Sequence, residues 1–108
     1  MALQVQNVAL DMIRCIQPLM EHIARRDKDL ARQIRRSASS VALNIAEAKH
    51  SDPGNRRARF HTAAGSASEA LVALKVASAW QYIAETQAVE ALELLDRILA
   101  MLYRLKTR

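Results

Sequence analysis

Glycine and proline are nearly missing from this chain of 108 residues, which holds two of each. So few turn-forming residues exclude a fold of many short strands and leave long helices joined by short connections. Aromatic residues make up only 4%. The core must therefore be Leu, Ile, Val, Met and Ala, as in a bundle whose helices approach closely. A single cysteine, Cys15, excludes an internal disulfide and fits a reducing, cytoplasmic setting. The first fifteen residues lack a basic stretch followed by an unbroken apolar run, so no secretory signal is expected there. No apolar run is long enough to span a bilayer, which argues against a membrane role. Sustained strand alternation, internal repeats, low-complexity stretches, a Gly-rich phosphate loop and a helix-turn-helix signature are all absent from the sequence.

What is present is helical periodicity. Val5, Val8, Met12, Ile16, Leu19 and Ile23 recur at three- and four-residue steps and predict a first helix from near Leu3 to Ala24. Pro18 falls inside it and cannot donate to the carbonyl of Arg14, which predicts a kink. Arg25 to Lys28 read as a short basic turn. Asp27 or Asp29 then caps a second helix that continues to about Lys49. Ser51, Asp52, Pro53 and Gly54 break the pattern, with Asp52 and Pro53 reading as the cap and first residue of a third helix. That helix carries Phe60, Ala64, Ala67, Leu71 and Leu74 on one face and ends between Trp80 and Ile83. A fourth runs from about Thr86 to the C-terminus with Ala88, Leu92, Leu95, Leu99 and Leu102 inward. Short connections force successive helices to reverse, so the expected fold is an all-α, antiparallel, up-down-up-down four-helix bundle, one domain over residues 1–108.

The second helix carries a polar row beside its apolar seam. Gln33, Ser37, Ser40, Asn44 and Glu47 lie on one stripe, next to Leu30, Ile34, Val41, Ile45 and Ala48. A polar row at the edge of a core must find partners. Asn44 and Glu47 are expected to join a structural network with Ser66 or Glu69 of the third helix, or with another chain.

Apolar residues also exceed what one stripe per helix needs. Leu94, Ile98, Met101 and Leu105 form a second stripe on the fourth helix. Gly65, Glu69, Val72 and Val76 form a second row on the third, and Leu43 points away from the seam of the second. Such surfaces are normally covered by another chain, which makes Leu43, Gly65, Val72, Val76, Leu94, Ile98, Met101 and Leu105 candidate oligomer contacts. The alternative is a broad face on a helix that shares two neighbours.

Charge is unevenly placed. Between Arg25 and Arg59 ten basic residues face four acidic ones, a surplus of +6, while the whole chain carries +5 and the remainder therefore −1. A basic segment in an otherwise balanced protein suggests an anionic partner such as RNA or DNA, and Arg32, Arg35, Arg36, Arg56, Arg57 and Arg59 are its candidate contacts. The competing reading is a solvated face serving solubility.

No residue set declares a reaction. Glu47 and His50 share the Glu-x-x-His spacing of di-iron bundles, but those need two copies plus two further glutamates, and one copy exists here. His22 and His61 read as surface residues and Cys15 as an inert thiol. No catalytic residue, metal or cofactor is expected, and the chain is read as a non-enzyme.

The stretch from Gln33 to Glu47, ending Asn44-Ile45-Ala46-Glu47, closely resembles the signature of a bacterial four-helix-bundle family first noticed in intervening sequences of large-subunit ribosomal RNA genes. Phe60, the run from Ala64 to Ala67, and Glu69 fit the second half of that signature. Related proteins include the accessory variability determinants of diversity-generating retroelements. Two departures stand out: Ala48 occupies a position the family usually gives to Gly, and Trp80-Gln81-Tyr82 replaces a Gly-rich turn. The resemblance implies a four-helix bundle, assembly into pentameric rings or barrels, no catalysis, and, by way of the retroelement relatives, nucleic-acid binding. The alternative function is a structural or protein-binding scaffold with no nucleic-acid role.

Overall fold

The computed structural model describes residues 2–107. Four α-helices follow in order: α1 (Ala2–Arg26), α2 (Lys28–Ala48), α3 (Pro53–Ala79) and α4 (Glu85–Lys106), with no strand among the described residues. The bundle measures 42 × 22 × 18 Å. At 1.5 Å rise, the 27 residues of α3 extend about 40 Å and span its long dimension. Each helix packs against two others, α1 on α2 and α4, and α3 on α2 and α4.

A single residue, Asp27, joins α1 to α2. It donates its N–H to the carbonyl of Ile23 at 2.8 Å, accepts from the Ala31 N–H at 3.1 Å, and caps Leu30 N–H through Oδ1 at 3.0 Å. The expected basic turn over 25–28 is therefore not a turn. Arg25 and Arg26 belong to α1, because one extended residue closes both helix ends. The helix also runs on through Pro18, which sits on its exposed side. Asp52 caps α3 by accepting from Asn55 N–H at 3.0 Å, and Pro53 takes the first helical position, where no N–H is needed. α4 lacks a side-chain acceptor at its cap, Ala84. Instead Gln87 reaches back to accept from the Ala84 N–H at 2.7 Å. Arg108, where the fourth helix was expected to finish, lies outside the described residues.

One core unites the four helices. Val5, Met12 and Ile23 of α1 meet Ile34, Val41 and Ile45 of α2, Leu74 of α3, and Leu95, Ile98 and Leu102 of α4. Each such side chain stabilises the fold by roughly 1.5–3 kcal/mol relative to exposure. α3 contributes mostly alanine: Ala63, Ala67, Ala70, Ala73 and Ala77 are buried, with Phe60 the buried aromatic. Small side chains let α2 and α3 approach, and theirs is the most extensive helix contact.

The inward face of α4 differs from the expected one. Ala88, Ala91, Leu95, Ile98 and Leu102 are buried, while Leu92 and Leu99 on one flank and Leu94, Met101 and Leu105 on the other are half-buried against the core. Ile98 is fully buried in its own chain and has no surface to offer a partner. The physical reason is position: a helix lying between two neighbours buries a broad arc, so the two stripes are the flanks of one face.

Candidate nucleic-acid interface and polar seam

The polar row of α2 faces α3. Ser40 and Ser66 hydroxyls share a hydrogen bond of 2.8 Å. The Asn44 amide donates to the Ser40 carbonyl at 2.9 Å and to its hydroxyl at 3.0 Å. Arg59 donates to Asn44 Oδ1 at 3.4 Å and forms an ion pair with Glu47 at 2.9 Å. The seam thus runs Ser66–Ser40–Asn44–Arg59–Glu47. Glu69 lies outside it and stands 4.0 Å from Arg36. Ser37, the one buried polar side chain among the described residues, turns back on its own helix and donates to the carbonyls of Gln33 and Ile34. Along these contacts α2 numbers climb as α3 numbers fall: Arg36 with Glu69, Ser40 with Ser66, Glu47 with Arg59.

The six candidate arginines do not share one environment. Arg32 pairs with Asp29 at 3.3 Å, Arg36 with Glu69, and Arg59 with Glu47. Arg56 donates to the carbonyls of Ala48 at 3.4 Å and Ser51 at 3.3 Å, closing the open end of α2. Only Arg35 and Arg57 of the six have no hydrogen-bond or ion-pair partner among the described residues. Arg57 also points away from Arg56 and Arg59, because each helical residue turns 100° from the last while residues three apart share a face. Arg59 reaches α2, whereas Arg57 lines a cavity beside α4.

The surplus apolar residues fall into two groups. Leu43 is 64% exposed, Val72 56% and Val76 36%. They stand clear of the core with Trp80, Val89 and Tyr103. Gly65 is also exposed, and a Cβ built there would meet no atom within 4 Å. Leu94, Met101 and Leu105 instead belong to the flanks of the α4 core face.

Other side chains carry little chemistry. No three His, Cys, Asp or Glu side chains among the described residues converge as a metal-binding group. Cys15 donates to Glu90 at 3.3 Å. Burial, then that hydrogen bond, then the charges of Glu90 and Asp11 push its thiol above the ordinary value, which favours the unreactive protonated form. No helix of the described residues is long and apolar enough to cross a membrane.

Three features escaped sequence reasoning. Gln81 adopts φ 64°, the left-handed region that favours glycine. This is the turn where Trp80-Gln81-Tyr82 replaces a Gly-rich one, so the departure in sequence was its only signal. Tyr82 in turn donates its hydroxyl to Asp27 at 3.4 Å and lies under Arg26, 5.5 Å from ring centre to guanidinium carbon. His61 and Lys106 meet at 3.5 Å across α3 and α4, a pairing of residues 45 apart that no local pattern signals.

The fold is shared with a crystal structure of a protein of unknown function from the S23 ribosomal protein family of Bacteroides thetaiotaomicron. The two align with a TM-score of 0.86 at 21% identity, over 96% of this chain and 99% of that one. No curated protein matches the chain. The model of the 23S rRNA-intervening sequence protein family matches residues 1–104, and the chain belongs to that family.

Proposed function

We propose that this protein is a non-enzymatic, cytoplasmic, antiparallel helical bundle of one domain that assembles with copies of itself and binds RNA or DNA weakly and without sequence preference. The observation that carries the nucleic-acid part is the basic surplus of +6 between Arg25 and Arg59, with Arg35 and Arg57 free of any carboxylate among the described residues. Repetition around a ring, five copies by resemblance to the family and its retroelement relatives, multiplies a weak patch through effective concentration. The remaining arginines can exchange a surface carboxylate for a phosphate at low cost, since exposed ion pairs contribute only about 0–1 kcal/mol. Few aromatics are available for base stacking, which argues against sequence readout.

The test is a titration with single- and double-stranded oligonucleotides at several salt concentrations. Log affinity should fall with log salt by about 0.7–0.9 per phosphate contact. Arg35→Glu and Arg57→Glu should each weaken binding and flatten the slope. Absence of binding at low salt, or indifference to both substitutions, would favour the second reading, a protein-binding scaffold. That reading draws on the exposed Val72, Val76 and Trp80, and predicts a salt-insensitive partner.

A further inference from the structure

Positive charge without a counter-charge concentrates at one edge of the bundle, between the first turns of α3 and the last turn of α4. A cavity of about 550 Å³ there is lined by Gly54, Arg57, Ala58, His61, Lys106 and the two threonines Thr62 and Thr107. His61 and Lys106 also line an adjoining groove of about 360 Å³, floored by Ala64, Gly65 and Ser68. Among the described residues no carboxylate lines either space. Arg14, Arg25, Arg32, Arg36 and Arg59, by contrast, each have an acidic neighbour within 4.0 Å.

Local hydrogen bonding leaves the donors here free. The Lys106 ammonium lies 3.5 Å from His61 Nδ1 and keeps further N–H groups for a ligand. Arg57 has no partner among the described residues. Asp52 takes the Asn55 N–H, but the Gly54 N–H at the start of α3 has no acceptor among the described residues. Thr62 donates its hydroxyl to the Ala58 carbonyl at 3.1 Å, and Thr107 covers the Tyr103 carbonyl with both its N–H and its hydroxyl. A concave space lined by Arg57 and Lys106 focuses positive potential and favours a compact anion.

We propose that Arg57, His61 and Lys106, with the Gly54 N–H, form a seat for a single phosphate group. A guanidinium and an ammonium supply charge, the imidazole and backbone supply direction, and no carboxylate of the described residues lines the space to compete, as one does at Arg32, Arg36 and Arg59. The seat goes beyond non-specific backbone contact and does not depend on it, since free phosphate would occupy it whether or not nucleic acid binds.

The test is a titration of the full chain with inorganic phosphate, followed by amide shifts in two-dimensional NMR. Saturable shifts at Gly54, Arg57, His61 and Lys106 are expected. Arg57→Gln and Lys106→Gln should each weaken binding by about tenfold, as for loss of one charge-assisted contact, while Arg14→Gln, on the exposed side of α1, changes nothing. Non-saturable shifts, or equal loss with Arg14→Gln, overturn the seat. A second arm adds a short oligothymidylate to the phosphate-loaded protein. Displacement identifies a nucleic-acid phosphodiester as the occupant, and retention identifies a free phosphate or monoester. Phosphate binding without oligonucleotide affinity would overturn the proposed nucleic-acid role while leaving the seat standing.

Discussion

Gln81 is the residue where local chemistry and local conformation disagree most. A left-handed backbone costs a residue with a Cβ roughly 1–2 kcal/mol, and the chain accepts it because Tyr82 N–H returns to Ala77 at 2.9 Å and Ile83 is buried. Replacing it with glycine removes the clash but frees the unfolded chain. Gln81→Gly should therefore raise stability by about 0.5–1 kcal/mol and the melting temperature by several degrees, followed by circular dichroism. A lower melting temperature would mean that the Gln81 side chain contributes more than its backbone costs. Asn44 is the opposite case, a polar residue whose every role is filled. Its amide bonds Ser40 twice and its oxygen receives Arg59. Asn44→Ala removes these bonds from a half-buried seam, so it should cost about 1–3 kcal/mol while leaving the helical content intact. An unchanged melting curve would show that water replaces the amide without loss.

Among the helices, α3 and α4 use their apolar residues differently. α4 buries one broad arc, and Ile98 sits at its centre with none of its surface exposed. Ile98→Ala should cost about 2–5 kcal/mol, visible as a large shift of the denaturation midpoint in urea at any protein concentration. A shift that depended on concentration would return Ile98 to an intermolecular role. α3 buries alanines and leaves Val72, Val76 and Gly65 outward among exposed polar residues such as Glu69 and Lys75. Nothing inside the chain requires Gly65 to lack a side chain, because the space around its Cβ position is open. In an isolated chain Gly65→Ala should stabilise α3 by about 1 kcal/mol.

For the molecule as a whole, that same substitution reports on assembly. If another chain's backbone lies on α3, the added methyl group of Gly65→Ala displaces it, and light scattering on a sizing column will show a smaller particle even as the helix stiffens. Val72→Glu places a charge on the same face and should dissociate the oligomer while the separated chains keep their melting transition. Wild-type protein that elutes as a monomer at micromolar concentration would remove self-assembly from the proposal. The charge distribution works at this scale too. Arg35 lies on α2, and Arg57 beside α4, so one chain does not gather them into one tract; a ring of copies is what would repeat them along a common surface.

The sequence by itself determined the four helices, the cap at Asp52, the choice of Asp27 or Asp29 as the cap of α2, from which the structure selects Asp27, and the seam residues of α1 and α2. Those follow from local physics: apolar spacing of three and four, carboxylates that accept free N–H groups, and a proline that suits a first turn. The polar row from Gln33 to Glu47 was legible as a row, and its need for partners was legible from its place beside the core. Only the tertiary structure decided which partners. Ser66 and Arg59 reach that row because α3 crosses back along α2, while Glu69 sits one step outside. The same holds for α4, whose two stripes became one face once its neighbours on both sides were set. It holds again for the arginines, where a run in sequence became a pair, a cap and a cavity wall in space. Local periodicity fixes which way a residue points on its own helix, but burial and pairing depend on what stands opposite, and that comes from the other helices.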